Sequence, residues 1–181
     1  MDKAKILALA AQAEDEMTAL RHELHRHPEL GWQEVRTTDA IERELKKIGC
    51  AILRRGFAGT RCGIVCDVNP DSPGPCVAVR ADIDALAVAR EDNDLEYASA
   101  APGVMHACGH DAHAASLIGA AKIFKALERD LPGRVRLMFQ PSEEQATAPG
   151  AKALIEEGML DGVDAVIGYH VRAGAPEGEI Q

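Results

Sequence analysis

The chain has 181 residues and a formal net charge of −9, with 46% hydrophobic but only 3% aromatic residues. That length suits one domain with a real core, and an aliphatic, aromatic-poor mixture favours helices packed on a sheet over an aromatic-lined binding module. The acidic balance without a basic stripe argues against a nucleic-acid binder, and no stretch is long and apolar enough to span a bilayer.

The spacing of Leu9, Ala13, Met17, Leu20 and Leu24 predicts a first helix from Asp2 to His25, which Pro28 should end through His27. A second helix is expected from Thr38 to Ile48, with Gly49 just past its end. Two strands follow, Cys62–Val68 and Cys76–Arg80, and the turn-rich NPDSPGP between them predicts a β-hairpin. Leu86 to Gly103 reads as loop with room for a short strand. A third helix fits Ala112 to Leu127 with Asp111 as its N-cap. After Pro132–Gly133 come a strand at Val135–Phe139, a helix at Ala151–Glu157 and a buried strand at Ala165–Gly168. Strands alternating with helices in this second half indicate an α/β sheet flanked by helices. No internal repeat or linker interrupts the chain.

Five cysteines, Cys50, Cys62, Cys66, Cys76 and Cys108, make an odd set without a secretory signal. That argues against a disulfide framework and predicts a cytoplasmic, reducing setting. Cys62 and Cys66 lack zinc-knuckle spacing and read as core. His22, His25 and His27 read as a solvated helical face.

The chemistry concentrates in four places. MHACGHDAH, Met105 to His113, crowds His106, Cys108, His110, Asp111 and His113 before a helix. A thiolate and an imidazole are good donors for a divalent transition metal, and a helix N-terminus is expected to lower the Cys108 pKa. A capping turn with incidental histidines is the plainer reading, and this density of donors disfavours it. In FQPSEE, Glu143 and Glu144 stand at a strand's C-terminal end, where α/β sheets build active sites. One carboxylate can bind metal while its neighbour takes a proton from water. An isolated Glu pair is usually a solvated surface; this position favours a site. His170 ends the AVIG strand and, taken alone, is more often structural than a ligand. Asp82 and Asp84 follow CVAV on one side of the chain and could orient a ligand histidine. There is no phosphate loop, no GxGxxG and no GxSxG elbow.

Together LRHELHRHPELGWQE, RADIDAL, YASAAPGVMHACGHDAH, FQPSEE with GAKALIEEG, and GYHV resemble the M20 metallopeptidase family. The closest likeness is to its amidohydrolase branch, which acts on N-acyl amino acids such as hippurate and auxin conjugates. The resemblance implies a zinc-peptidase-like catalytic domain, of which residues 1–181 are the N-terminal portion. It implies two divalent ions, Mn2+ or Zn2+ with Co2+ or Ni2+ as possible substitutes. Cys108, His110, Glu144 and His170 match the family's ligands, Cys108 as a bridge. Glu143 matches the general base and Asp84 a supporting catalytic group. Asp82 stands where other branches carry a ligand histidine. The implied partner is a small N-acyl amino acid, with neither nucleic acid nor membrane.

The chain also departs from the family. A lid domain that mediates homodimerisation and a late histidine ligand are missing, and QATAPG replaces a Gly-rich run after the glutamates. The chain alone is therefore expected to have little or no activity. Two other readings stay open: a non-catalytic metal-binding remnant, and a thiol enzyme with Cys108 as nucleophile. The thiol reading gives PSEE and GYHV no role.

Overall fold

A computed structural model describes residues 2–172, 174, 176 and 178. Helix α1 (Lys3–Arg26) starts where Asp2 accepts a hydrogen bond from the Ala4 N–H at 2.9 Å. Helix α2 (Val35–Ile48) buries Ile41 and Leu45 and ends at Gly49, whose φ of 82° satisfies the last carbonyls. Five strands form the main sheet: β1 (Ala51–Arg55), β2 (Ile64–Val68), β3 (Cys76–Asp82), β6 (Arg134–Gln140) and β7 (Ala165–Gly168). Two-residue strands β4 (Leu86–Ala87) and β5 (Val104–Met105) pair apart from it. Helix α3 (His110–Ala126) precedes β6, and α4 (Gly150–Glu156) follows it.

The sheet order is β1-β2-β6-β3-β7. β2 runs antiparallel to β1 and β6, while β6, β3 and β7 are mutually parallel. Strand alternation divides the core. Ile64, Cys66, Val68, Val135, Leu137 and Phe139 face α1, α2 and α3. Val65, Ala78 and Met138 face the other way, toward Phe57 and Leu154 of α4. The expected α/β sheet with helices on its faces is the observed architecture.

Four expectations need correction. β2 and β3 are not a hairpin, because β6 lies between them. Residues 69–75 instead cross the start of β6: Asn69 Nδ2 donates to the Gly133 carbonyl and Arg134 N–H donates to that of Pro75. Turn formers bend a chain; here the almost fully buried β6 decides which strands are neighbours. Asp111 is not an N-cap. Gly109 takes that position at φ 82°, and Asp111 lies buried in the first turn of α3. β7 is not buried; all four of its residues are exposed at the sheet edge. His25 is not solvated but 3% exposed, with Nδ1 2.7 Å from Asp111 and Nε2 3.1 Å from Glu91. β1 had no sequence-based expectation: its AILRR pattern carries two arginines and only partial burial. Cys62 and Cys66 are fully buried, as expected.

Candidate metal centre

Parallel strands bring their C-terminal ends to one rim. β3 delivers Asp82 and Asp84, β6 leads through Pro141 and Ser142 to Glu143 and Glu144, and β7 leads to Tyr169 and His170. The start of α3 adds Cys108 and His110 from the side. Donor atoms of Cys108, His110 and His170 lie within 4.8 Å of one another, and so do those of His110, Glu143 and Glu144. His110 is common to both sets. Cys108 Sγ is 3.3 Å from His170 Nε2, and His110 Nε2 is 3.8 Å from Glu144 Oε1.

Asp84 organises this rim. Its carbonyl and Oδ1 lie 2.9 and 3.2 Å from His110 Nδ1, and its Oδ2 accepts the Glu144 N–H at 2.9 Å. Nδ1 is therefore the protonated nitrogen, and the Nε2 lone pair points into the cluster. That nitrogen is buried and has no hydrogen-bond partner among the described residues. A buried acceptor without a partner is costly unless something binds it. A divalent ion fits this donor set.

The electrostatics agree. Burial lowers the His110 pKa, but the hydrogen bond it donates to Asp84 and the charges of Asp82, Asp84 and Glu144 outweigh it, and the net shift is upward. Burial raises the Asp84 pKa; His110 and the backbone N–H groups of Glu144 and Glu143 more than reverse it. Cys108 is pushed up to about 11, first by burial and then by Glu144, with Asp82 and Glu143 adding to it. This corrects the expected low thiol pKa: burial, and then the carboxylates facing Cys108, outweigh the helix terminus. It also weakens the thiol-nucleophile reading, which needs a thiolate without a cation.

A second layer holds the glutamates. Ser142 has φ 51°, uncommon for a non-glycine residue, and turns the chain from β6 toward the rim. Its N–H donates to Glu34 Oε1 at 2.7 Å. Gln145 Nε2 donates to the Gly31 carbonyl and Trp32 Nε1 to that of Ala148. A Cβ at Gly31 would come 2.8 Å from Ser142 Oγ and 2.9 Å from Gln145 Nε2, so any side chain there would have to displace these two groups. Burial pushes Glu34 up to about 7, partly offset by backbone N–H groups. No sequence signal marks Glu34 as buried, because a glutamate beside Gln33 just before a helix ordinarily faces solvent. His113 lies against Asp82; its i, i+3 spacing from His110 was the available clue.

These features meet those of a known family. The model for peptidase family M20/M25/M40 matches residues 78–181, and the chain belongs to that family. Among curated relatives, an N-acyl-L-amino acid amidohydrolase of Geobacillus stearothermophilus is 41% identical over 180 residues, covering 99% of this chain and 47% of that protein. An N-acetyl-L-cysteine deacetylase of Bacillus subtilis (strain 168) is 45% identical over 157 residues, 87% of this chain and 36% of that protein. Among solved structures, the Bacillus subtilis YXEP protein, described as a dinuclear metal binding peptidase from the M20 family, superposes with a TM-score of 0.81 at 40% identity. That match covers 97% of this chain and 45% of that one. The chain thus spans less than half the length of these relatives.

Proposed function

We propose that this chain carries the metal centre and general base of a metal-dependent amidohydrolase acting on N-acyl amino acids. The observation supporting this most strongly is the convergence of Cys108, His110, Glu144 and His170 around an unpartnered imidazole nitrogen, with Glu143 beside them. The named activities of the amidohydrolase and deacetylase relatives support the substrate class.

Cys108, His110, Glu144 and His170 hold two divalent ions, Mn2+ or Zn2+, a choice compatible with mixed sulfur, nitrogen and oxygen donors. When bound, such ions polarise the scissile carbonyl and acidify water. Asp84 fixes the His110 tautomer and the position of Glu144 through its two side-chain oxygens and carbonyl. Glu143, exposed beside Glu144, takes the proton from the attacking water and delivers it to the leaving amine. We further propose a cytoplasmic setting, on the odd cysteine count without a recognisable secretory signal, and a homodimer for the full-length form, as the family resemblance implies.

The test uses protein purified from its complete reading frame, loaded with Mn2+ or Zn2+ and offered N-acetyl and N-benzoyl amino acids. Glu143→Gln should lower kcat by about 10²–10⁴-fold while metal content is retained. Full turnover in that variant would remove Glu143 from the mechanism. Turnover that survives chelation but not thiol alkylation would favour Cys108 as nucleophile. Bound metal without turnover on any of these amides would favour a non-catalytic binding role.

A further inference from the structure

His113 belongs, with Asp82 and His110, to a third set of potential ligand atoms within 4.8 Å of one another, and all three residues are buried. By proximity alone this is another metal triad. The hydrogen bonds point elsewhere. The backbone N–H of Val171 can only donate, and it meets His113 Nε2 at 2.9 Å. Nε2 must therefore present its lone pair to Val171, which leaves the ring proton on Nδ1. Nδ1 lies 2.5 Å from Asp82 Oδ1, where it donates. Asp82 Oδ2 in turn pairs with Arg80 Nη1 at 2.8 Å. Both ring nitrogens of His113 are thus committed, and neither has a lone pair left for an ion.

The same residue is held to the β7 exit at a second point. Tyr169 Oη donates to the His113 carbonyl at 2.6 Å. His170 lies between these two anchors in sequence, its ring edge-on to that of His113 with centroids 4.6 Å apart. The preceding strand is exposed along its whole length and gives this segment little packing support. On the other side, Val171 packs over Gly109: a Cβ there would come 2.4 Å from Val171 Cγ2.

We propose that His113 is a positioning residue and not a metal ligand: oriented by Asp82, its neutral ring latches the Tyr169–Val171 backbone and brings His170 to Cys108. This rests on the reading of His170 as a ligand. It assigns Asp82 a matching role, as the group that fixes the His113 tautomer.

The experiment is nitrogen-15 NMR of histidine-labelled protein without and with Zn2+, combined with Zn2+ titrations of variants. His113 should show an unprotonated Nε2 and a proton on Nδ1, and neither should change on adding Zn2+, while His110 and His170 shift. An Nε2-protonated His113, or a Zn2+-induced shift of Nε2 to a coordinated position, overturns the proposal. His113→Phe keeps a ring of similar size and removes the latch, so Zn2+ affinity should fall about 10–100-fold. In a His170→Ala background the same substitution should cost nothing further; additive losses overturn the latch. If His170→Ala alone leaves Zn2+ affinity unchanged, the ligand reading of His170 fails, while the NMR still decides the tautomer. The NMR needs no substitution, so a variant that does not fold leaves the proposal testable.

Discussion

Two clusters of buried charge lie in this sheet, and they are built on opposite principles. On paired strands β2 and β6, Asp67 and Arg136 face each other in register, with Nε–Oδ1 and Nη2–Oδ2 distances of 2.9 and 3.1 Å. Arg136 Nη1 also donates to the Met159 carbonyl. That cluster has no shortage of positive charge: Arg136 meets both Asp67 oxygens, and Arg134 Nε approaches Asp67 Oδ2 at 3.5 Å. At the C-terminal rim, Asp82, Asp84, Glu143 and Glu144 gather around His110 with Arg80 as their salt-bridged guanidinium, and an imidazole nitrogen is left over. Buried acid in both places could be read as structural. What separates them is the remainder of negative charge and lone pairs, which only the rim has, and which a cation would complete.

Breaking each cluster should therefore have different consequences. Asp67→Ala leaves Arg136 buried without its partner, and a loss of about 3–5 kcal/mol in folding stability is expected by chemical denaturation. The double replacement Asp67→Leu with Arg136→Met should cost far less, because no charge is stranded. Glu34, behind the rim, gives a pH signature. Its folded pKa of about 7 lies above its unfolded value of 4.5. The group's contribution is thus fully present below pH 4.5 and lost as pH rises through 7, by about 3 kcal/mol. Glu34→Gln should gain stability relative to the parent over that window; parallel pH profiles would contradict this.

Two smaller effects sharpen the contrast from the metal side. Zn2+ at about 100 times its dissociation constant should stabilise the parent by about 2.7 kcal/mol per site. Glu144→Ala should abolish most of that gain, whereas the Asp67→Leu/Arg136→Met protein should keep it. Asp84→Asn should weaken Zn2+ binding about 10–100-fold, because the His110 tautomer is then less firmly set. Calorimetric titration reads both.

Much of the rim was legible in the sequence because donor residues cluster locally in CGHDAH and PSEE, and because a strand's C-terminal end predicts where they point. The helices were legible from periodicity, to within a few residues at their ends. Strand partners were not. A hairpin between β2 and β3 is the local solution, and burial of β6 between them is a global one that local turn chemistry does not encode. Groups acting through other groups were also hidden. Glu34 and His25 find partners more than 80 positions away, and nothing in their neighbourhoods reveals burial; for His113, 31 positions from Asp82, the spacing from His110 was the one local clue. The expected Cys108 pKa was wrong for the same reason: the burial that raises it most, and the carboxylates that add to it, come from distant parts of the chain.

The cation-completed rim is tested most directly by titrating the metal-free chain with Co2+ and following the thiolate-to-cobalt charge-transfer band. Saturable binding is expected, with a band that disappears in Cys108→Ser and weakens in His110→Ala, Glu144→Ala and His170→Ala. Binding that is absent, or that is unchanged by all four substitutions, would show that these side chains meet at the rim for some purpose other than holding an ion.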